Sequence, residues 1–260
     1  MQLQNFAYDL PEKLIAQYPL AKREEARLMV IDRTSATIRH DIFKNIGAYL
    51  PARSVIVVNN SKVVQARLHG QKDRTGAKIE VFLLNRLEDG YHYEVLMRPL
   101  KRLKNGDRIC FAKEGVTAEV TDREARIVRF NRKNLTGFLQ QNGHIPLPPY
   151  IKREDERIDR THYQTVYAQK LGSVAAPTAG LHFSKMVLHR LKQQGHDIRE
   201  VTLHINYGTF KPVEVHDVTK HQMHYETYRV LKPTQRCLEM AHAKGQPIVA
   251  VGTTSARVLE

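Results

Sequence analysis

Residues 172 to 183 form a segment whose side chains are small or uncharged apart from one histidine. Five of its twelve residues are glycine or alanine, so backbone N–H groups there can approach a ligand closely. Ser173, Thr178 and His182 are the side chains left to form hydrogen bonds or move a proton. The segment also fits a tight turn entering a helix, with Thr178 as N-cap and an apolar helix face over 183 to 191. Both interpretations can hold, because a capped helix start also binds anions.

A second group of proton-handling side chains is the His-x-x-His-x-Glu pattern of His221, His224 and Glu226, with His204 and His216 as further imidazoles. Imidazole titrates near neutral pH, which suits general acid–base chemistry. The pattern lacks the helical His-Glu-x-x-His register and the thiolates of common zinc sites. It therefore favours polar pocket residues or surface histidines over a metal site.

Composition bounds the classes of protein to which the chain can belong. Its 260 residues can form one large domain or two smaller ones, and we expect two. The formal charge of +14 indicates a polyanionic partner, nucleic acid first, although a solvated basic surface without a partner has the same charge. No apolar run is long enough to span a membrane, and Cys110 and Cys237 have no metal or redox spacing. Without a secretory signal pattern, we expect a reduced, cytoplasmic protein.

The hydrophobic pattern predicts an α/β main domain with an inserted small β-barrel-like domain. Buried strands are predicted at 54–58 and 247–251. Further elements are strands at 27–32 and 199–207 and helices at 43–50, 186–194 and from near Ala256. Between 67 and 142, turn signals recur about every ten residues, which is typical of a small closed or sandwich-like β domain. Its predicted strands are 78–84, 91–98, 108–112, 116–121 and 125–130. The predicted domains are 1–66 with 146–260, and the insertion 67–145.

Two basic segments are candidates for contact with an RNA backbone. The loop 98–104 has four basic residues in seven, which predicts either a phosphate-contacting edge or charged protection of a strand edge. Residues 152–160 are almost wholly charged, which predicts a solvated loop or an RNA-binding patch. Tyr163 follows as a residue that could stack on a base or pack within a helix.

The segment 172–183, Gly-Ser-Val-Ala-Ala-Pro-Thr-Ala-Gly-Leu-His-Phe, closely resembles a hallmark of the S-adenosylmethionine:tRNA ribosyltransferase-isomerase family, the queuosine biosynthesis enzymes. Other segments match that family in the same order, from about Tyr8 to the last residue. They include Pro-Leu-Pro-Pro-Tyr-Ile at 146–151, Tyr-Gln-Thr-Val-Tyr-Ala at 163–168, Gly-Thr-Phe at 208–210 and Val-Gly-Thr-Thr-Ser at 251–255. The resemblance implies the same two-domain arrangement as the pattern.

The resemblance also implies an activity. The ribosyl group of S-adenosylmethionine would be transferred to, and isomerised on, 7-aminomethyl-7-deazaguanine at the tRNA wobble position, giving epoxyqueuosine-tRNA, adenine and methionine. The implied partners are S-adenosylmethionine and tRNA carrying the precursor base. No metal, no other cofactor and no membrane are implied, and we expect a monomer.

Candidate site residues follow from the resemblance and from this chemistry. A sulfonium acidifies the adjacent carbon, so a base can form a stabilised carbanion, and adenine needs a proton to leave. The candidates for these proton transfers are His182, His204, His221, His224 and Glu226. The candidates for binding S-adenosylmethionine or the modified base are Asn59, Arg67, Ser173, Pro177, Thr178, Ala179, Gly180, Phe183, Gly208, Thr209, Phe210, Met223, Gly252, Thr253, Thr254, Ser255 and Arg257. The candidates for contacting tRNA are Lys101, Arg102, Lys104, Lys152, Arg153 and Tyr163. Arg257 and the turn before it would suit the methionine carboxylate.

The chain departs from the family pattern at some positions. Asn60, Ser61 and Lys62 stand where the family typically has Asp-Thr-Arg, and an amide at 60 cannot take a proton as a carboxylate can. Asn206 stands where the family has a glycine. A catalytically impaired member that only binds tRNA is therefore an alternative. A methyltransferase is a weaker one, because the chain lacks a glycine-rich loop after its first strand.

The resemblance also raises the question of completeness. Family members continue for several dozen residues beyond the Gly-Thr-Thr-Ser turn. We therefore expect that the chain is not a complete enzyme, that its last helix frays after about one turn, and that catalysis is weak unless the remainder is restored.

Overall fold

The computed structural model describes residues 1–111, 115–206, 213, 215–223 and 225–260. The chain divides into two compact units, a main unit of Met1–Val63 with Leu147–Glu260 and a barrel unit of Val64–Pro146. The main unit contains a mixed sheet with helices, and the barrel unit contains a closed six-stranded barrel. The fold class predicted from the sequence, an α/β domain with an inserted β-barrel-like domain, is confirmed.

The elements are numbered in chain order. The strands are β1 Arg27–Asp32, β2 Thr37–Ile42, β3 Val55–Asn59, β4 Ser61–Val63, β5 Arg67–Lys72, β6 Lys78–Arg86, β7 His92–Arg98, β8 Arg108–Cys110, β9 Thr117–Asp122, β10 Ile127–Phe130, β11 Lys170–Ser173, β12 Asp197–Leu203, β13 Tyr228–Val230 and β14 Ile248–Ala250. The α-helices are α1 Thr136–Asn142, α2 Asp159–His162, α3 Lys185–Gln193, α4 Lys232–Ala243 and α5 Gly252–Leu259. Short 3-10 helices occupy Leu3–Phe6, Glu12–Leu14, Arg23–Glu25, Phe43–Ala48, Leu100–Arg102, Thr178–His182 and Val218–Lys220.

The main sheet has the strand order β13-β12-β3-β14. Strand β3 is parallel to both β12 and β14, while β13 is antiparallel to β12. Every residue of β3 is buried because each face of the strand carries its own apolar layer. Ile56 and Val58 pack with Phe183 and α3, and Val55 and Val57 pack against α4.

The barrel closes in the order β10-β7-β6-β5-β8-β9. Along β7, Tyr93, Val95 and Met97 are buried and alternate with more accessible residues, as a filled small barrel requires. Strand β5 is the member of the barrel that the sequence pattern did not identify. Closure pairs every strand on both sides, so the unit has no open sheet edge.

Three local expectations differ from the structure. After the separate β1–β2 hairpin, residues 43–48 form a 3-10 helix rather than an α-helix. The N-cap of α3 is Ser184, whose hydroxyl accepts from the Val187 N–H at 3.3 Å, and not Thr178. Helix α5 begins at Gly252 rather than near Ala256. The residues 252–255, which were expected to form a turn and an N-cap, are instead the first turn of the helix. Within the described part of the chain, no helix is long and apolar enough to cross a membrane.

Candidate active site

Three parallel strands of the main sheet end side by side. The register pairs Val201 of β12 with Asn59 of β3, and Ala250 of β14 with Val57 of β3. The residues that follow these strands are therefore brought to one edge. In open sheets with parallel strands, ligands bind outside the carboxyl ends of the strands. We call this region, made of 59–61, 204–206 and 252–257, the carboxyl edge.

The segment 172–183 is fastened to the carboxyl edge by backbone pairing and by one hydroxyl. Strand β11 pairs in parallel with β4, and the Val174 N–H donates to Ile205 O at 3.0 Å. Ser173 Oγ donates to Ala175 O at 2.7 Å and accepts from the Ile205 N–H at 3.1 Å. The buried Ser173 hydroxyl therefore holds this segment to the end of β12, a role that the sequence did not indicate.

His204 lies directly beneath this segment. Gly172 has φ +141°, and a Cβ at that position would lie 3.0 Å from the His204 ring, so glycine permits the close approach. His204 Nδ1 is buried and has no hydrogen-bond partner within the described residues. Desolvation lowers the pKa of His204 below its usual 6.5. The imidazole is therefore neutral at neutral pH and can accept a proton.

Gly180 shows why this segment needs small residues for its own packing. A Cβ at Gly180 would lie 2.1 Å from the Tyr167 hydroxyl and 2.9 Å from Thr165 Cγ2. We expect Gly180→Ala to destabilise the protein by roughly 1–3 kcal/mol through overpacking and to lower Tm measurably in thermal unfolding. Gly137→Ala is the matched control, because that glycine lies in α1 with nothing within 4 Å of the added Cβ. The control should be neutral or slightly stabilising, and equal Tm values for the two variants would contradict the packing argument.

Glu226 and Arg257 form an ion pair at the carboxyl edge. Arg257 Nη1 donates to Glu226 Oε2 at 2.7 Å, and the Asn206 N–H donates to Glu226 Oε1 at 3.2 Å. The Glu226 side chain is only 6% exposed. The pair joins the end of β12 to α5, so Arg257, predicted to bind the methionine carboxylate, already contacts a carboxylate of the protein.

The start of α5 offers donors at the same edge. Its N-cap residue, Val251, has no capping side chain, and the first N–H groups of a helix have no acceptor within the helix itself. Thr254 Oγ1 and Ser255 Oγ are buried without a hydrogen-bond partner among the described residues, and Ser255 is fully buried. This combination of helix N–H groups and hydroxyls can bind an anion, as the sequence predicts for residues 252–255.

The side-chain amide of Asn59 holds the end of β3. Asn59 Nδ2 donates to Leu203 O at 3.0 Å, and Asn59 Oδ1 accepts from the N–H groups of Leu203 and Ser61 at 3.0 and 3.1 Å. The side chain of Asn59 is thus used within the fold, where it holds β3 and β12 together. Its role in binding a substrate remains a prediction.

Asn60 contacts a carboxylate that the sequence analysis missed. Its Nδ2 donates to Glu200 Oε2 at 2.8 Å, and Thr202 Oγ1 donates to Asn60 Oδ1 at 2.7 Å. Glu200, Thr202 and His204 line one cavity of about 450 Å³ with Asn60. The two-residue period of a strand could have placed these three side chains on one face, but only the pairing of β3 with β12 brings them to Asn60.

His182 lies in a different place from His204. Its ring centroid is 5.4 Å from that of Phe43, and it lines a second cavity of about 800 Å³ with Thr178. Desolvation and the positive charge of Arg23 lower the pKa of His182, although a hydrogen bond with the Arg23 backbone partly opposes them. Two of the candidate histidines, His182 and His204, therefore line different cavities of the main unit.

The remaining predicted residues vary in placement. Thr178, Ala179 and Met223 are exposed, whereas Pro177, Gly180 and Phe183 are buried. Phe183 belongs to the apolar layer of the sheet. His221 is half-buried, and Thr253 is exposed on the first turn of α5. Arg67 lies on β5 of the barrel unit, where its Nε is 3.6 Å from Glu80 Oε2. Gly208, Thr209, Phe210 and His224 lie outside the described residues.

Two of the tRNA candidates in the main unit are ion-paired within the fold. Arg153 forms a bidentate pair with Asp159 at 2.7 and 2.8 Å, and Lys152 Nζ contacts Glu12. Tyr163 is 8% exposed. Residues 152–160 are therefore not simply a solvated loop, and contact between these side chains and tRNA remains a prediction.

Lys101, Arg102 and Lys104 are exposed in the barrel unit. If they contact phosphates, replacing all three by alanine should weaken tRNA binding. It should also reduce the slope of log K against log salt by roughly one per lost contact. Titrations at several salt concentrations measure this slope.

The matched control for the three basic residues removes the same charge elsewhere on the barrel unit. Arg74, Lys78 and Arg126 are also exposed, and their replacement by alanine should leave most of the slope. Equal losses in both triple variants would mean that general surface charge, and not the loop 98–104, attracts the RNA.

The structure also bears on metal binding. Among the residues described, no group of three or more histidine, cysteine, aspartate or glutamate side chains could hold a metal ion. His224 of the His-x-x-His-x-Glu pattern is not among them.

Comparison with known proteins gives consistent results. A family model described as "Queuosine biosynthesis protein" matches residues 3–260. A protein of Sulfurihydrogenibium sp. is 45% identical over 261 residues, covering 100% of this chain and 77% of its own length. A protein of Natranaerobius thermophilus is 44% identical over 264 residues, with 100% and 76% covered. Both carry the name S-adenosylmethionine:tRNA ribosyltransferase-isomerase.

A solved structure is also similar. The crystal structure of the S-adenosylmethionine tRNA ribosyltransferase of Thermotoga maritima is 31% identical, covers 98% of this chain and 71% of its own, and has a TM-score of 0.45.

Proposed function

The chain belongs to the queuosine biosynthesis protein family, and from this premise we propose that it is an S-adenosylmethionine:tRNA ribosyltransferase-isomerase. The family predicted from the segment 172–183 is thereby confirmed. The proposed reaction transfers and isomerises the ribosyl group of S-adenosylmethionine onto 7-aminomethyl-7-deazaguanine in tRNA, and releases adenine and methionine. The observation that carries the proposal is the family match over residues 3–260. The structure adds that segment 172–183 meets the carboxyl edge.

The carboxyl edge supplies a place for the methionine part of the donor. The first N–H groups of α5, which no side chain of the described residues caps, suit the donor's carboxylate together with the hydroxyls of Thr254 and Ser255. Arg257, held by Glu226 at 2.7 Å, contributes positive charge beside them. In this arrangement Glu226 positions Arg257 and the end of β12.

His204 is the proposed base. It is neutral at neutral pH because burial lowers its pKa, and Nδ1 has no partner within the described residues. A neutral imidazole beside the sulfonium can take the proton from the adjacent acidified carbon, which leaves a carbanion stabilised by sulfur. His221 is less suited, because it does not line the cavity that contains His204.

Glu200 provides negative charge near the amide of Asn60. Its Oε2 accepts from Asn60 Nδ2 at 2.8 Å, and its Oε1 accepts from Gln169 Nε2 at 3.3 Å. The carboxylate is thus oriented by two neutral donors and lines the same cavity as His204. The absence of a carboxylate at position 60 is therefore compatible with catalysis, since the neighbouring strand brings one to that position.

The proposal also covers cofactors, cellular location and oligomeric state. No metal and no cofactor other than the donor substrate takes part, since the described chemistry needs only a base, an acid and an anion site. The protein acts in the cytoplasm, where its tRNA substrate is found, and as a monomer.

One assay tests the proposed function. The protein is incubated with precursor-bearing tRNA and S-adenosylmethionine, and the small products are separated. Free adenine together with methionine supports the ribosyl transfer. S-adenosylhomocysteine would indicate a methyltransferase, and tRNA binding without adenine release would indicate a protein that only binds RNA.

A further inference from the structure

The larger cavity of the main unit is distinct from the cavity that contains His204. It measures about 800 Å³, which is within the range of sites for small molecules and nucleotides. Its walls include Tyr18, Leu20, Leu147, Pro148 and Tyr150, and the 3-10 helix Thr178–His182 contributes Thr178, Leu181 and His182. A mostly apolar, aromatic cavity of this size suits a flat ring system.

Tyr18 is held firmly although it is 59% exposed. The guanidinium of Arg153 lies 4.4 Å from the centre of its ring, and its hydroxyl donates to Glu156 Oε1 at 3.1 Å. Arg153 is itself fixed by its bidentate pair with the buried Asp159. An aromatic ring that is oriented by its neighbours and is still more than half exposed can serve as a stacking platform for a base.

A second tyrosine is positioned by the same framework. The side chain of Gln17 donates to Tyr150 O at 3.1 Å and accepts from the Lys152 N–H at 2.7 Å. The segments that carry Tyr18 and Tyr150 are therefore joined by hydrogen bonds. Tyr150 is 49% exposed, so both aromatic side chains are accessible in an arrangement that exists before a ligand binds.

Arg23 gives this cavity positive charge. Its guanidinium donates to three backbone carbonyls, those of Gln164, Leu181 and Thr161, at 2.9, 3.2 and 3.1 Å. In the described parts of the chain no carboxylate forms an ion pair with it, although the charge of Glu24 acts on it and Glu25 lines the same cavity. A phosphate would be attracted by this guanidinium.

We propose that this cavity takes one unstacked base of the RNA substrate, with the base against Tyr18 and Tyr150 and an adjoining phosphate towards Arg23. The inference rests on the proposed function, because an enzyme that modifies a base must remove it from its stack to reach it. The 3-10 helix of the segment 172–183 forms part of the wall, so a base in this cavity would contact that segment directly. The chain's net charge of +14 favours an RNA ligand.

The test couples one protein variant with one RNA change. Affinities are measured by fluorescence anisotropy for an end-labelled anticodon stem-loop with the target base and for the same loop with an abasic target position. For the wild-type protein, we expect the abasic loop to bind roughly 5- to 150-fold more weakly, as the loss of one stacked base predicts. In Tyr18→Ala the intact loop should lose about the same factor, and the abasic change should then have little further effect.

Three other variants make the result specific. Tyr18→Phe retains the ring and should bind like wild type. Tyr150→Ala leaves the contacts of Tyr18 intact, and in this variant too the abasic change should have little further effect on binding. This variant keeps the test valid if Tyr18→Ala folds poorly. Arg23→Gln should reduce the salt slope of binding by about one.

Two outcomes overturn the inference. One is that Tyr18→Ala and Tyr150→Ala both weaken the intact and abasic loops equally, which places the base elsewhere. The other is that the variants retain RNA affinity but lose affinity for S-adenosylmethionine, which assigns the cavity to the donor's adenosine.

The proposed function is tested separately by adenine release from the wild-type protein. If adenine is released but the protein variant and the abasic change weaken binding independently, only the inference about the cavity is refuted. If the abasic change has no further effect in Tyr18→Ala but no adenine is released by the wild-type protein, only the proposed reaction is refuted.

Discussion

Replacing His204 by alanine is expected to lower the rate of adenine release by roughly 10²- to 10⁴-fold, the range associated with loss of general base catalysis. The affinity for tRNA should change little, because a neutral imidazole beneath the segment 172–183 adds no positive charge that could bind phosphate. A loss in kcat without a loss in tRNA affinity would show that His204 acts in the chemical step. Single-turnover adenine release and tRNA titration measure the two quantities.

The pH dependence separates a catalytic role of His204 from a packing role. Burial lowers its pKa below 6.5, so the neutral form prevails at neutral pH. The wild-type rate should therefore fall only on acidification below about pH 6.5, and a slow His204→Ala variant should lack that acid limb. His189→Ala is the control, since His189 is exposed on α3. Wild-type turnover in His204→Ala would contradict this role and make His182, in the other cavity, the next candidate for the general base.

The fold was predictable where the chain's local pattern and its tertiary structure agree. The apolar run at 54–58 predicted a strand buried on both faces, and β3 is that strand. The regular turn signals between 67 and 142 predicted a barrel, and the barrel closes with six strands. Strand β5 escaped detection because Gly70 and polar neighbours weaken its alternation. Glycine is required there since a Cβ would lie 2.7 Å from Ile109 Cγ2.

The site was predictable as a set of residue types, but its arrangement was not. Sequence spacing could not show that His204 and His182 line different cavities, because that depends on how β11 and the following 3-10 helix turn over the sheet. Nor could it reveal that Glu200 meets Asn60, two residues 140 positions apart. Contacts between distant segments are set by strand register, which a single sequence does not display.

The burial of charged side chains in the segment 152–160 was likewise not predictable from the sequence. Mixed charges in a row predict a solvated surface, yet Asp159 is 2% exposed. Its carboxylate accepts two hydrogen bonds from Arg153 and one from the Glu156 N–H at 2.8 Å. The burial arises because residues 17 and 18, which are distant in sequence, cover the pair.

Asp159→Ala is expected to destabilise the protein by about 3–5 kcal/mol, because it leaves the mostly buried Arg153 guanidinium without its counter-charge. Urea unfolding followed by circular dichroism measures the change. Glu25→Ala is the control, since it breaks the pair with Lys22 at 3.2 Å between exposed side chains, and it should cost less than about 1 kcal/mol. Equal effects would contradict a stabilising role for the buried pair.

The pH dependence of the Asp159→Ala effect has a definite sign. Burial alone would raise the pKa of Asp159, but the hydrogen bonds from Arg153 and the Glu156 N–H, together with the positive charge of Arg153, hold it below its usual 3.8. A carboxyl group whose pKa is lower in the folded state stabilises the fold above its unfolded pKa, and this stabilisation is lost as the pH falls through the folded pKa. The difference between wild type and Asp159→Ala should therefore be constant above about pH 5 and shrink below 3.8. The same variant frees Arg153 from its position over Tyr18, so RNA affinity should fall along with stability. A stable Asp159→Ala protein that keeps full RNA affinity would show that the ion pair supports neither the fold nor the stacking surface.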